Sequence, residues 1–103
     1  MITGKQRSYL KSLAHKIEPV VMIGRQGVTD AIIKGMDDYL TAHELMKVKL
    51  SDKEMDAQEV CSMLAVKLDA EFVQAIGHKF VLYRMAANPE KRKIVLPEAK
   101  ARG

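Results

Sequence analysis

From the N-terminus, the apolar positions first recur at helical spacing. Tyr9, Leu10, Leu13 and Ile17 fall one to four residues apart on one side, while Lys5, Arg7 and Lys11 lie largely on other faces. Thr3-Gly4-Lys5-Gln6 has the form of a capping box, in which Thr and Gln side chains serve each other's backbone N–H groups. This helix must stop before Pro19, because the residue preceding a proline avoids the α region. Residues 20–23 form a short continuous apolar run, which predicts a central strand buried on both faces. Gly24-Arg25-Gln26-Gly27 interrupts the run. Thr29 is then a second N-cap, with Asp30 at the positive end of the helix dipole. Ile32, Ile33, Met36 and Leu40 are the apolar stripe of that second helix, and His43 stands near its end.

The period then changes. Residues 45–50 alternate, with Lys47 and Lys49 on a wetter face, the pattern of a half-exposed strand. Asp56-Ala57-Gln58-Glu59 is a further capping-box candidate, followed by Ala57, Val60, Cys61, Leu64, Ala65 and Leu68 on one helical face. Residues 71–76 and 80–84 read as two strands joined across Gly77-His78-Lys79. Past Met85 the pattern fades, with one apolar anchor at residues 94–96.

The resulting order, α-β-α-β-α-β-β, predicts an α/β fold. It is a single two-layer domain over residues 1–97, with a small mixed four-stranded sheet packed with helices, and a short charged tail at 98–103. The first two crossovers suggest parallel pairing and the last hairpin an antiparallel pair. The length of 103 residues suits one core and is too short for two. Aromatics are 5% of the chain and Trp is absent, so seven Met fill part of the interior with adaptable side chains.

Charge sharpens this picture. The net of +4 divides into +4 over residues 1–34, −5 over 35–71 and +5 over 72–103. Two basic ends around an acidic middle give a polarised surface if the ends meet in the fold, which is the footprint of a nucleic-acid binder. A few solvated lysines would give the same counts. Catalysis finds little support. His15, His43 and His78 lack metal-ligand spacing, and the acidic residues Asp52, Glu54, Asp56 and Glu59 lack that of a calcium loop. Cys61, the only cysteine, lies on an apolar helix face and excludes an internal disulfide. No nucleophile elbow or Walker lysine occurs, so no enzyme activity, cofactor or small-molecule substrate is expected. No apolar stretch approaches the roughly 18 residues of a membrane span and the N-terminus has no signal-peptide h-region, which makes the cytoplasm the expected location.

The glycine loop carries the best candidate chemistry. With 6 glycines in the chain, chance supplies roughly 0.3 G-x-x-G pairs, so spacing alone says little. Placement says more: a glycine loop entering a helix opens backbone N–H groups and the positive dipole end to an anion. Gly24 and Gly27 remove obstructing side chains, Gln26 lies between them, and Arg25 adds a mobile charge. KH domains clamp single-stranded RNA at such a loop, although there it joins two helices. A tight strand-to-helix turn that needs positive φ explains the same glycines equally well.

The residues taken together resemble the CRM domain (chloroplast RNA splicing and ribosome maturation) in its stand-alone bacterial, YhbY-like form. The matching features are the Lys5-Gln6-Arg7 opening, Leu10-Lys11, Pro19 before the first strand and Gly24-Arg25-Gln26-Gly27. They continue with His43-Glu44-Leu45 leading into Val48-Lys49, then Ile76-Gly77, Leu82-Tyr83-Arg84 and residues 94–97. The resemblance covers about residues 3–97. It implies a fold similar to the C-terminal domain of translation initiation factor three. It also implies RNA binding, with the ribosomal RNA of the large-subunit precursor as partner. The RNA-binding residues it implies are Gly24, Arg25, Gln26 and Gly27, with Lys5, Arg7 and Lys11 around them. Lys34 and Arg84 are second-tier candidates that can equally be ordinary surface charges. Tyr83 can stack on a base or sit in the core. A reading from another class is a protein-interaction adaptor that docks through the acidic helix 56–68, with the basic ends incidental. DNA binding ranks third, because no helix carries an obvious base-reading set.

Overall fold

The structure, a computed structural model, describes residues 2–97, and the charged tail at 98–103 lies outside the described residues. Its first helix, α1 (Gly4–Ala14), begins at the capping box read from the sequence. Gln6 N–H donates to Thr3 Oγ1 at 3.1 Å and Thr3 N–H to Gln6 Oε1 at 3.0 Å. Leu10 and Ala14 bury the inner face, while Tyr9 turns outward. Strand β1 (Val21–Ile23) and helix α2 (Asp30–His43) follow, with Thr29 capping α2 through its hydroxyl. Next come β2 (Leu45–Leu50), α3 (Ala57–Lys67), β3 (Glu71–Ile76) and β4 (Lys79–Tyr83), then a 3-10 turn at Pro89–Lys91.

The sheet order is β1-β2-β4-β3. β1 pairs with β2 in parallel, and β4 pairs antiparallel with both β2 and β3. The crossover through α3 sets β3 parallel to β2 in direction, but the parallel pairing expected between these two strands is absent, because β4 enters between them as the pairing partner of both. β1 is an edge strand, where a central one was expected. Val20 and Met22 remain 47% and 61% exposed. An apolar run of this length looks the same in sequence whether its second side is covered by a neighbouring strand or left to solvent. The other edge, β3, carries a bulge between Phe72 and Gln74.

Helices cover both faces. On one, α2 and α3 press Met36, Leu40, Cys61 and Leu64 against Ile23, Met46, Val48, Leu50, Phe80 and Leu82. On the other, α1 brings Leu10 and Ala14 onto Leu45, Val73, Val81 and Tyr83, helped by Ile94 and Leu96 of the C-terminal segment. Full burial of a Leu or Phe side chain of this kind contributes about 2 kcal/mol. No helix among the described residues is long and apolar enough to cross a membrane.

Candidate nucleic-acid interface

The loop predicted as the contact site is a tight turn. Gly27 N–H donates to the Gly24 carbonyl at 2.9 Å, and Gly27 takes φ +74°, the left-handed region that favours glycine. A Cβ on Gly24 would stand 3.4 Å from Ser51 Oγ, an ordinary contact, so the two glycines are not equivalent. Gly27 is required by the backbone, and Gly24 keeps the turn slim. Arg25 and Gln26 form the exposed tip, and Arg25 has no hydrogen-bond or ion-pair partner among the described residues.

Strand register locates this turn. Ile23 pairs with Leu50, Ser51 N–H donates to the Ile23 carbonyl, and Leu50 N–H donates to the His78 carbonyl. The glycine turn, the segment after β2 and the β3–β4 hairpin turn thus gather at one end of the sheet. Asp52, Glu54 and Asp56 reach the same end on the side covered by α3. Two of these carboxylates are engaged locally, Asp52 with Glu54 N–H and Asp56 with Gln58 N–H, each at 3.0 Å. Asp56 is thus the N-cap expected, although it bonds to Gln58 rather than closing a box with Glu59.

The basic residues of α1 are not set against the loop. They lie on the other face of the sheet, where α1 packs on β2, β3 and β4. Arg7 Nε donates to the Phe72 carbonyl at 3.1 Å, and Arg7 and Lys11 overlook an open cleft of about 440 Å³ along β3. Lys5, in the first turn of α1, is exposed. Between this edge of α1 and the glycine turn lie Lys47 and Lys49, which the sequence presented as an ordinary wet strand face, and Lys79, which was expected in the hairpin turn and instead opens β4. Lys47 Nζ has a structural task, donating to the carbonyls of Ala14 at 3.1 Å and Ile17 at 3.4 Å, where α1 ends.

The second-tier candidates separate. Lys34 forms an exposed i,i+4 pair with Asp38 at 3.5 Å, one turn into α2 on the loop's side. Arg84 sits at the far end of the sheet with its guanidinium committed. Nη1 donates to Asp37 Oδ1 and the Leu68 carbonyl, both at 2.8 Å, and Nη2 donates to the Asp37 carbonyl and Thr41 Oγ1, both at 2.9 Å. That geometry ties α2, α3 and β4 together and leaves little of Arg84 for RNA. Tyr83 is buried, so it packs in the core and cannot stack on a base.

The sequence profile of the CRS1/YhbY (CRM) domain matches residues 2–84, four-fifths of the chain and every residue placed so far from α1 to Arg84. The chain belongs to the CRM-domain family. It is 37% identical over 97 residues to a Haemophilus influenzae protein named "RNA-binding protein", a match covering 93% of this chain and 95% of that one. A Bacillus subtilis relative, "Probable RNA-binding protein YqeI", is 39% identical over 98 residues, covering 94% and 100%. The solution structure of SAV1595 from Staphylococcus aureus superimposes with a TM-score of 0.78 at 39% identity, over 94% of this chain and all of that one.

One residue of this CRM domain carries a role that the sequence did not disclose. Glu44, between α2 and β2, is fully buried and holds φ +69°, unusual for a residue with a side chain. Its Oε2 accepts from Ala86 N–H at 2.7 Å, and its Oε1 from Lys93 N–H at 2.7 Å and Ile94 N–H at 3.0 Å. Burial works to raise its pKa, but these three hydrogen bonds and the Arg92 charge outweigh it and hold the carboxyl below its ordinary value. The C-terminal segment is fastened here, which lets Ile94 and Leu96 reach the core. Cys61 is buried and its thiol is pushed up to about 12, so it is inert as a nucleophile. Among the described residues no group of three or more His, Cys, Asp or Glu side chains is placed to hold a metal ion.

Proposed function

We propose that this CRM domain acts in the cytoplasm as a non-enzymatic RNA-binding protein. Its target is the ribosomal RNA of the large-subunit precursor, contacted through Gly24, Arg25, Gln26 and Gly27. The observation that carries the reading is the state of Arg25: exposed, unpaired among the described residues, and mounted on a slim turn whose neighbours leave it free to meet a phosphate. The family and the names of its relatives favour RNA as that polyanion. Lys5, Lys11 and the free nitrogens of Arg7 add positive potential on the other side of the sheet, and Lys34 is a peripheral contributor. Arg84 is left out, because its donors are spent within the fold.

Gly24→Asp combined with Arg25→Glu tests the loop without disturbing the positive φ of Gly27. Affinity for a ribosomal RNA fragment is expected to fall by an order of magnitude or more with the melting temperature nearly unchanged. Equal affinity in a folded variant removes the loop from the site. Crosslinking in cells followed by sequencing tests the target. Reads concentrated in large-subunit RNA support it, and reads spread over messenger RNAs overturn it. The adaptor reading rests on α3, whose outward Met63 and Val66 are exposed beside Glu59. Salt separates the two, since phosphate contacts weaken steeply as ionic strength rises.

A further inference from the structure

Strand register aligns four side chains into a row that no single strand reveals. Met22 pairs with Lys49, Lys49 with Lys79, and Lys79 with Ile76, so the row crosses β1, β2, β4 and β3 on the face that α1 covers only in part. All four are exposed, Met22 at 61% and Ile76 at 63%. Two lysines directly opposite each other on antiparallel strands repel, and such pairs destabilise a sheet. Neither Lys49 nor Lys79 has a counter-ion among the described residues to offset this. The row ends at Met22, two residues from the glycine turn. Its other flank is the edge of α1, where Arg7, Lys11 and His15 recur every four residues and look across the cleft floored by Gln74 and Ile76.

We infer that this row is a track for single-stranded RNA, continuing the path of a strand that the glycine loop grips. The inference rests on the RNA-binding reading above and adds to it a second contact surface and the form of the ligand. The chemistry favours a single strand. Cations in the middle of the row meet phosphates, while the apolar side chains at its ends offer surface to unpaired bases, whose faces a duplex hides. Because the row offers phosphate contacts and apolar surface rather than a set of hydrogen bonds to base edges, the contact is tolerant of sequence. Phosphates between Lys49 and Lys79 also relieve the repulsion that the free protein bears.

The test uses the full chain and a short fluorescein-labelled RNA of mixed sequence, single-stranded or annealed to its complement. Binding is followed by anisotropy over a range of salt and folding by thermal melts. The Lys49→Gln/Lys79→Gln variant is expected to melt no lower than the parent. At about 0.1 M salt it should bind the single strand about 25-fold more weakly, fivefold per lysine, with a log–log salt slope shallower by about 1.4. The parent should prefer the single strand to the duplex. If the parent binds neither RNA, the RNA-binding reading falls and this inference with it. If the parent binds and the loop variant loses binding while the lysine variant keeps it, the row alone is refuted. Preference for the duplex refutes the single-strand track.

Discussion

The two ends of the sheet treat charge in opposite ways. Where β2 begins and β4 ends, Arg84 and Glu44 direct their charges inward. Arg84 spans α2, α3 and β4 with four hydrogen bonds, and Glu44 draws in three amides of the C-terminal segment. At the other end Arg25, Lys49 and Lys79 face outward without partners among the described residues. A net charge of +4 counts all of these alike. The structure distinguishes charges engaged within the fold from charges left exposed and unpartnered among the described residues; the first kind should respond to stability assays and, on the RNA-binding reading proposed above, the second to binding assays.

The largest effect is expected at Glu44. Glu44→Gln turns one accepting oxygen into a donor facing an amide, and the loss of bonds to buried N–H groups should cost about 3 kcal/mol. Chemical denaturation measures it, and hydrogen exchange should show the amides of Lys93 and Ile94 opening first. The carboxyl has a folded pKa below its ordinary value of 4.5, so its contribution is present above that value and is lost as pH falls through the lowered one. The parent should therefore lose stability on acidification, and Glu44→Gln should lose markedly less. Parallel acid profiles for the two would show that this carboxylate is not the one that titrates.

Arg84→Met comes next, at about 2 kcal/mol, because the guanidinium is mostly covered while its partner Asp37 is half exposed. RNA affinity measured on the folded variant should remain within about twofold, in contrast to the loop and lysine variants. A large loss of affinity would return Arg84 to the site and blur the division between the two ends. The smallest effect belongs to Tyr83→Phe. The Tyr83 hydroxyl is buried with no hydrogen-bond partner among the described residues, so its removal should change stability by less than about 1 kcal/mol, in the stabilising direction. A clear destabilisation would mean that the hydroxyl takes part in fastening the C-terminal segment.

What the sequence disclosed was local. Thr3 with Gln6, Thr29 and Asp56 mark helix starts through contacts within three residues, and the structure has each of them. Periodicity gave β2 and β3 their limits and α3 its buried face. The failures depended on distance along the chain. Glu44 bonds to residues 42 to 50 positions away, and the donors of Arg84 reach partners up to 47 away. Lys49 looked like a solvated strand residue because nothing in its own neighbourhood says that Lys79 faces it. That requires knowing that β4 enters between β2 and β3. Within the candidate site the glycine turn was legible from its residues, and the row beside it was not.

The bulge in β3 has a consequence for how the protein behaves at high local concentration. A sheet with an exposed apolar ledge at Met22 and Ile76 invites other copies to extend it strand by strand, above all when many are gathered on one polymer. Here neither margin offers a template for such growth. β1 is only three residues long, and β3 loses its regular ladder at Phe72–Gln74, where Arg7 also occupies the Phe72 carbonyl. The irregular margin keeps a sticky surface from becoming the seed of a fibre.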